Sequence, residues 1–287
     1  VEAINSCKKA LKIRPEFVEV YYNMGNALGD QGKADEAISC YCKALELRPE
    51  YAEVYVNMGN VLKNQGRINE SLESYRMAMK FRKDYHQAYS NYLFTLHYGP
   101  GHSRESLFEQ HCGWDETYAK SMAEKIVEHT NDRIPERRLR VGYVSPDFRS
   151  HSCAYFVDPL FRGHDRSQVE IFCYSEVPKP DDVTKRIKEI ADHWYDTAGK
   201  SHDEMAEKIR EDRIDILVDI AGHTANNRLL VFAQKPAPIQ ITWLGYPDTT
   251  GMAAMDYRFT DPMADPEDGD SDQYVRETLI RLSKGFL

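Results

Sequence analysis

The chain has 287 residues and a formal net charge of −9; 41% of its residues are hydrophobic and 29% are charged. This length suits about two domains, and the hydrophobic share is large enough for buried cores, which excludes a disordered chain. The acidic balance disfavours nucleic-acid binding. Because no run of 18 apolar residues occurs, we also expect no membrane-spanning helix and no membrane partner.

The first third of the chain repeats itself with the 34-residue period of tetratricopeptide units. The segment VYYNMGNALGDQGKADEAISCYCKALELRPE aligns with VYVNMGNVLKNQGRINESLESYRMAMKFRKD one period later. We therefore expect a helical solenoid over residues 1–98, cut from a longer array because its first helix lacks a partner before it. The predicted helices span 1–14 and about 18–30, 35–47, 52–64, 69–81 and 86–98.

Asn23, Asn57 and Asn91 recur one repeat apart, and two interpretations are open. Each asparagine can cap or bridge turns locally, or together they can line the concave surface of the solenoid. The pattern favours the concave surface, because a side-chain amide offers a donor and an acceptor to the backbone of any extended peptide. We therefore predict protein or peptide partners along the repeats, and self-association is a second use of such a surface.

A transition follows the repeats. The 34-residue register ends at the Gly-Pro-Gly sequence of residues 99–101. Residues 103–128 keep a helical stripe that includes His111 and Trp114, whereas the polar residues 129–138 are typical of a linker. We assign 99–138 to a helical transition and linker.

From residue 139 the pattern changes to strands that alternate with helices. The strand candidates are LRVGYVS, VEIFCYS, DHWYDT, IDILVDIAG and IQITWLGY. The alternation predicts a parallel, doubly wound sheet over residues 139–287. Ligands of such sheets bind beyond the carboxyl ends of the strands, so the loops at 145–152, 221–227 and 245–251 form the candidate site.

Two of these loops contain a histidine, His151 in DFRSHS and His223 in AGHT. A neutral imidazole at a strand end can accept a proton or hold a substrate hydroxyl. The alternative for each is a structural role, such as capping the next helix in the case of His151. Two histidines at equivalent edges of one sheet favour the functional interpretation, so we expect both rings to face an incoming alcohol.

Several ligand-binding signatures are missing from the sequence. It has neither GxGxxG nor GxxxxGK[ST], and the glycine-rich GYPDTTG at 245–251 is a weak signal for an anion site. It also lacks HExxH, a His/Cys cluster and DxD-like pairs in the strand-end loops, so we predict no metal and no cofactor. The six cysteines form no CxxC pair, which indicates free thiols. Because the sequence also shows no signal peptide, we expect a cytoplasmic or nuclear location.

Three long segments, in order after the repeats, carry a family resemblance: LRVGYVSPDFRSHS, IDILVDIAGHTANNRL and KPAPIQITWLGYPDTTGMAAMDYRFTD. They resemble the tetratricopeptide-containing O-linked N-acetylglucosamine transferases, including the plant SPINDLY branch, which uses fucose. The resemblance implies a solenoid followed by one Rossmann-like half of a two-Rossmann (GT-B) glycosyltransferase. It also implies inverting, metal-independent transfer of a sugar from a nucleotide-sugar to Ser or Thr of a protein.

The same resemblance assigns site residues, with His151 and His223 as the catalytic candidates. The donor is expected to be UDP-N-acetylglucosamine or, in the SPINDLY alternative, GDP-fucose. A second Rossmann-like half, absent from this chain, would bind most of the donor, so the chain alone would be inactive. A non-catalytic peptide-binding scaffold is the other alternative. The sugar and acceptor pocket is expected from Asp147, Thr224, Gly245, Tyr246, Pro247, Thr249, Thr250 and Gly251.

Overall fold

The structure is a computed structural model that describes residues 2–267 and 269–286. The chain divides into two compact units, Val1–His102 and Ser103–Leu287. The first unit is helical, whereas the second is built around a parallel sheet. In the part of the chain that the structure describes, none of the helices is both long enough and apolar enough to cross a membrane.

The helices of the first unit follow the predicted 34-residue repeat, with bounds that differ from the prediction by one or two residues. Within each repeat the two helices pack against each other as an antiparallel pair. The helices are α1 Glu2–Ile13, α2 Val18–Gly29, α3 Ala34–Leu47, α4 Ala52–Asn64, α5 Ile68–Phe81 and α6 His86–Leu96.

One glycine and one tyrosine bring the two helices of a repeat together. The buried ring of Tyr41 lies so close to Gly25 that a Cβ on this glycine would stand 2.5 Å from the ring. The Tyr41 hydroxyl then donates to Asn26 Oδ1 at 2.8 Å. A helical glycine costs about 1 kcal/mol relative to alanine, and this close approach explains why it is tolerated. One repeat later the corresponding residues are Gly59, Tyr75 and Asn60.

The second unit contains, among the described residues, seven parallel strands in the order β3-β2-β1-β4-β5-β6-β7. The first five correspond to the predicted strands. The last two were not predicted, because they lie among charged residues, whereas the equally short β4 and β5 lie in longer, mostly apolar runs of sequence. The strands are β1 Leu139–Ser145, β2 Val169–Ser175, β3 His193–Asp196, β4 Ile216–Asp219, β5 Ile239–Thr242, β6 Tyr257–Thr260 and β7 Thr278–Arg281.

From Ser103 onward, the residues predicted as transition and linker belong to the second unit. Helix α7, Arg104–Trp114, is followed by a π-helical turn, Asp115–Ala119, and a 3-10 turn, Lys120–Lys125. Further along, Arg137 forms a bidentate ion pair with Asp215 at 2.6 Å, so this polar segment is anchored at the residue that precedes β4. The helices are α7 Arg104–Trp114, α8 Ala154–Gly163, α9 Asp182–Ile190, α10 His202–Glu211 and α11 Leu229–Phe232.

The strand order reverses at β1, which pairs with β2 on one side and with β4 on the other. At such a reversal the chain leaves the two central strands toward opposite faces of the sheet, which opens a crevice at their carboxyl ends. The loops that carry His151 and His223 follow β1 and β4. The predicted fold class, a helical solenoid followed by a Rossmann-like doubly wound sheet, is confirmed.

We expect Gly59→Ala to lower the free energy of unfolding by about 1–3 kcal/mol, because the new Cβ overpacks the fixed ring of Tyr75. Gly29→Ala is the matched control, since its Cβ would meet only Val61 at an ordinary 3.4 Å. Chemical denaturation followed by circular dichroism measures both. A Gly59→Ala protein as stable as the Gly29→Ala protein would contradict the packing argument.

Candidate active site

The loop between β1 and α8 places His151 beside a buried carboxylate. Nδ1 of His151 lies 3.7 Å from Asp147 Oδ2, and the backbone N–H of Cys153 donates to the same nitrogen at 3.3 Å. The His151 side chain is 36% exposed. The Nδ1 edge of the ring therefore contacts the loop, while the rest of the ring is partly exposed and can contact a ligand.

Asp147 is fixed by its own neighbours. Its backbone N–H donates to Ser145 Oγ at 3.0 Å, and Arg149 donates to its Oδ1 at 3.3 Å. Burial raises the pKa of Asp147, whereas the adjacent His151 and Arg149 act to lower it. Since Arg149 uses Oδ1, the other carboxylate oxygen is the one that lies beside His151.

His223, in the loop after β4, is completely buried, with 0% of its surface exposed. Its Nε2 lies 2.9 Å from the carbonyl oxygen of Thr250, which can only accept, so Nε2 carries a proton and donates. Trp114 and His111 of α7 pack against the ring with centroid distances of 5.1 and 5.3 Å. The structure therefore differs from the expectation that this ring faces an incoming alcohol, because α7 covers it.

Tyr246 lies in the same aromatic group, and its polar atom is satisfied there. His111 Nδ1 donates to the Leu107 carbonyl at 2.7 Å, and its Nε2 shares a hydrogen bond of the same length with the Tyr246 hydroxyl. Burial raises the pKa of Tyr246 well above its usual value, so the hydroxyl keeps its proton. Tyr246, predicted as a pocket residue, is therefore buried and anchors the loop after β5 through its hydroxyl.

Glu277 holds the threonines of the loop after β5. The Thr249 hydroxyl donates to Oε2 at 2.5 Å and the Thr250 N–H to Oε1 at 2.7 Å, and the Thr250 hydroxyl donates to Oε1 as well. All three residues are buried. The sequence did not point to Glu277, since it lies far along the chain in a polar segment before β7.

Two predicted glycines allow backbone segments to approach closely. A Cβ on Gly245 would stand 2.0 Å from the carbonyl oxygen of Ile220, and one on Gly251 would stand 2.3 Å from the backbone of His111. Gly251 also has a φ of +70°, which disfavours other residues. These glycines fix the loop, while Pro247 at its tip is exposed and Thr224 in the His223 loop is half-buried.

Asp219, the last residue of β4, is a second residue that sequence reasoning missed. It is fully buried and accepts hydrogen bonds from the N–H groups of Ala221 and Gly222 and from the Thr242 hydroxyl, at 2.8–3.1 Å. Burial raises its pKa to about 6, although these donors act to lower it. The signal in the sequence that could have indicated Asp219 is an acidic residue at the end of an otherwise largely apolar strand.

The family of this chain follows from how much of its sequence one family model matches. Residues 92–287 match glycosyl transferase family 41, which is more than half of the chain, and tetratricopeptide repeats match residues 2–32, 25–66 and 52–85. The chain belongs to glycosyl transferase family 41. The resemblance inferred from the three long segments is thereby confirmed.

Several family 41 relatives are similar to this chain. The Solanum lycopersicum protein described as a probable UDP-N-acetylglucosamine–peptide N-acetylglucosaminyltransferase SPINDLY is 39% identical over 201 residues, covering 69% of this chain and 21% of its own length. The Caenorhabditis elegans UDP-N-acetylglucosamine–peptide N-acetylglucosaminyltransferase is 40% identical over 132 residues, or 45% of this chain and 12% of the relative. A solved mutant of the Thermobaculum terrenum O-GlcNAc transferase has a TM-score of 0.91 at 36% identity, covering 99% of this chain and 54% of that one. This chain thus spans about a fifth of the SPINDLY relative and about half of the solved transferase.

The repeat asparagines of this family 41 chain differ in their contacts. Asn57 Nδ2 donates to the Tyr22 hydroxyl at 3.0 Å and to Asn26 Oδ1 at 2.8 Å, both in the preceding repeat. Asn91 Nδ2 similarly donates to Asn60 Oδ1 at 3.3 Å. Asn23 is exposed. Asn57 and Asn91 therefore each form bridges to the preceding repeat, and peptide binding stays a prediction.

We expect the stability advantage of the wild-type protein over Asp219→Asn to shrink as the pH rises from about 4 to about 6. In this window folded Asp219 holds a proton that the unfolded chain, with its ordinary pKa of 3.8, has already lost. Each pH unit is worth about 1.4 kcal/mol, so the total change is up to about 3 kcal/mol. Denaturant unfolding of both proteins across this range measures it. A difference that does not change with pH would contradict the assignment; above pH 7 it should be constant.

Proposed function

We propose that this chain forms the repeat region and one catalytic half of a protein O-glycosyltransferase, which transfers a sugar from a nucleotide-sugar to Ser or Thr hydroxyls. Membership of family 41 supports the reaction class. The observation that carries the proposal is the partly exposed His151 beside buried Asp147, at the carboxyl end of β1 where the strand order reverses. N-acetylglucosamine is the favoured sugar, since the named relatives are described as N-acetylglucosaminyltransferases; SPINDLY-type fucose transfer is the alternative.

His151 is suited to receive the proton of the acceptor hydroxyl. For this the ring must give up the 3.3 Å hydrogen bond that Nδ1 accepts from the Cys153 N–H and carry its proton on Nδ1, facing Asp147 Oδ2. Nε2 then has a lone pair for the hydroxyl. As the acceptor oxygen attacks the anomeric carbon, the bond to the nucleoside diphosphate breaks and the hydroxyl proton passes to Nε2. The buried carboxylate of Asp147 stabilises the resulting imidazolium.

We assign His223 a positioning role in place of direct contact with the acceptor. Its Nε2–H holds the Thr250 carbonyl, and Thr250 in turn is held by Glu277. These bonds tie the loop after β4 to the loop after β5. Among the expected pocket residues, Pro247 and Thr224 retain the surface to touch a sugar or acceptor, and Asp147, Tyr246, Thr249, Thr250 and the two glycines shape the site around them.

The donor diphosphate needs cationic or amide groups to stabilise its charge as it leaves. We assign most of these contacts to the second Rossmann-like half that the family resemblance implies, because this chain covers 54% of the solved transferase. Metal-independent transfer and a cytoplasmic or nuclear location stay predictions.

In an intact enzyme that contains this chain, we expect His151→Ala to lower kcat by about 10²–10⁴-fold, the usual contribution of a general base. KM for the peptide should change much less, since the proton transfer takes place in the transition state. His193→Ala on edge strand β3 is the matched control and should keep its activity. Undiminished transfer by His151→Ala would remove His151 from the mechanism, and an inactive wild-type enzyme would favour the non-catalytic scaffold.

The repeats are proposed to bind protein substrates along their asparagines. Asn23→Ala is the cleanest test, because Asn23 is exposed and its loss does not remove the bridges that Asn57 and Asn91 make between repeats. We expect an extended peptide to bind this variant about 2- to 10-fold more weakly, the value of one hydrogen bond. Isothermal titration calorimetry measures it, with Asp30→Ala at the end of α2 as a control. Unchanged affinity would count against the asparagine surface.

A further inference from the structure

Three different metal-ligand types meet in the loop between β1 and α8, although no His/Cys cluster was expected from the sequence. One ligand atom each from Asp147, His151 and Cys153 lies within 4.8 Å of the other two. We propose that these three residues bind a thiophilic divalent ion such as Zn²⁺, and that a bound ion blocks proton transfer by His151. The blocking, but not the binding, rests on the proposed function of His151.

The spacing of the ligand atoms suits a tetrahedral ion after small side-chain movements. His151 Nδ1 and Asp147 Oδ2 are 3.7 Å apart, and ligand atoms of tetrahedral zinc stand about 3.3–3.6 Å from one another. Cys153 is the N-cap residue of α8, so its backbone is fixed by the start of the helix. The long 3.3 Å hydrogen bond from its N–H to Nδ1 is the one contact that an ion on Nδ1 would displace.

The burial of the three ligands leaves one side of the site open. The Asp147 side chain is 9% exposed and the His151 side chain 36%, and Cys153 is buried. Two ligands would thus hold the ion from inside, and a water molecule or a substrate oxygen would complete its coordination. Arg149 donates to Oδ1 of Asp147, whereas Oδ2 is the oxygen that lies beside His151.

The ligand chemistry selects among metals. A thiolate and an imidazole are preferred by Zn²⁺ and Co²⁺, whereas Mg²⁺ and Ca²⁺ prefer sites made entirely of oxygen. On binding, the Cys153 thiol loses its proton to solvent and the sulfur forms a bond to the metal. The Asp147 carboxylate offsets a further part of the ion's charge.

A bound ion would remove the proton-accepting capacity of His151. Coordination through Nδ1 uses the lone pair of that nitrogen, so the ring proton must reside on Nε2. Nε2 then donates a hydrogen bond and no longer has a lone pair for the acceptor hydroxyl. The same three residues that place the base therefore also provide a means to switch it off.

The binding is tested on the 287-residue chain by titration with Co²⁺, without any transferase assay. We expect a thiolate-to-cobalt charge-transfer band in the near ultraviolet that Zn²⁺ abolishes by competition and Mg²⁺ leaves unchanged. The band should be lost in Cys153→Ser and persist in the control Cys42→Ser, which removes an exposed thiol of the first unit. Asp147→Asn should weaken Co²⁺ binding by at least about 10-fold, the loss that even outer-shell partners of a metal cause.

X-ray absorption of the zinc-loaded wild-type chain provides a readout that needs no variant to fold. One sulfur and at least one imidazole in the coordination shell would support the site. Absence of the band in the wild type, its persistence in Cys153→Ser, or a shell without sulfur would overturn the proposal.

The blocking is tested in the intact enzyme. Zn²⁺ should inhibit transfer by the wild type and by Cys42→Ser, and at least about 10-fold more Zn²⁺ should be required for Cys153→Ser, each rate being compared with that of the same protein without metal. Equal inhibition of all three proteins would overturn the blocking. An inactive wild-type enzyme that still gives the cobalt band would refute the proposed function and leave the metal site intact.

Discussion

Two buried carboxylates hold the loops after β4 and β5, and the geometry of this side of the candidate site depends on them. Asp219 accepts from the main chain of the loop after β4, and Glu277 accepts from the threonines of the loop after β5. A carboxylate away from water is stable only when donors surround it, so the loop conformation and the buried charge require each other. A loop conformation that breaks these hydrogen bonds would leave a buried donor unpaired or a buried carboxylate uncompensated. Alternative loop conformations are therefore costly.

This support separates the roles of the two histidines. His223 lies under α7 with its Nε2–H committed to Thr250, so its position contributes to the shape of the site. His151 follows β1, where the loop leaves its ring partly exposed beside a carboxylate. Both residues end up near a strand terminus, yet only the one left uncovered is able to meet an acceptor hydroxyl.

The surroundings that make His151 suitable for proton transfer also make it a suitable metal ligand. A general base needs a lone pair directed to substrate and a carboxylate to stabilise its charged form, and a zinc site needs the same two groups with one more ligand. In the proposed metal site Cys153 is that third ligand. A thiol at this position would add a means of control to the residues that we propose for proton transfer.

The sequence by itself determined the features that depend on local periodicity. The 34-residue repeat specified the helices of the solenoid almost to the residue, and the alternation of strands and helices specified five strands and the loops that bear His151 and His223. Strands β6 and β7 were not predicted, because they lie among charged residues, whereas β4 and β5, of the same length, lie in longer apolar runs. Only the tertiary structure decided that α7 covers His223, that Glu277 holds Thr250, and that Cys153 lies beside Asp147. These contacts depend on how elements pack in space and on side-chain geometry within loops, which leave no repeating pattern along a single chain.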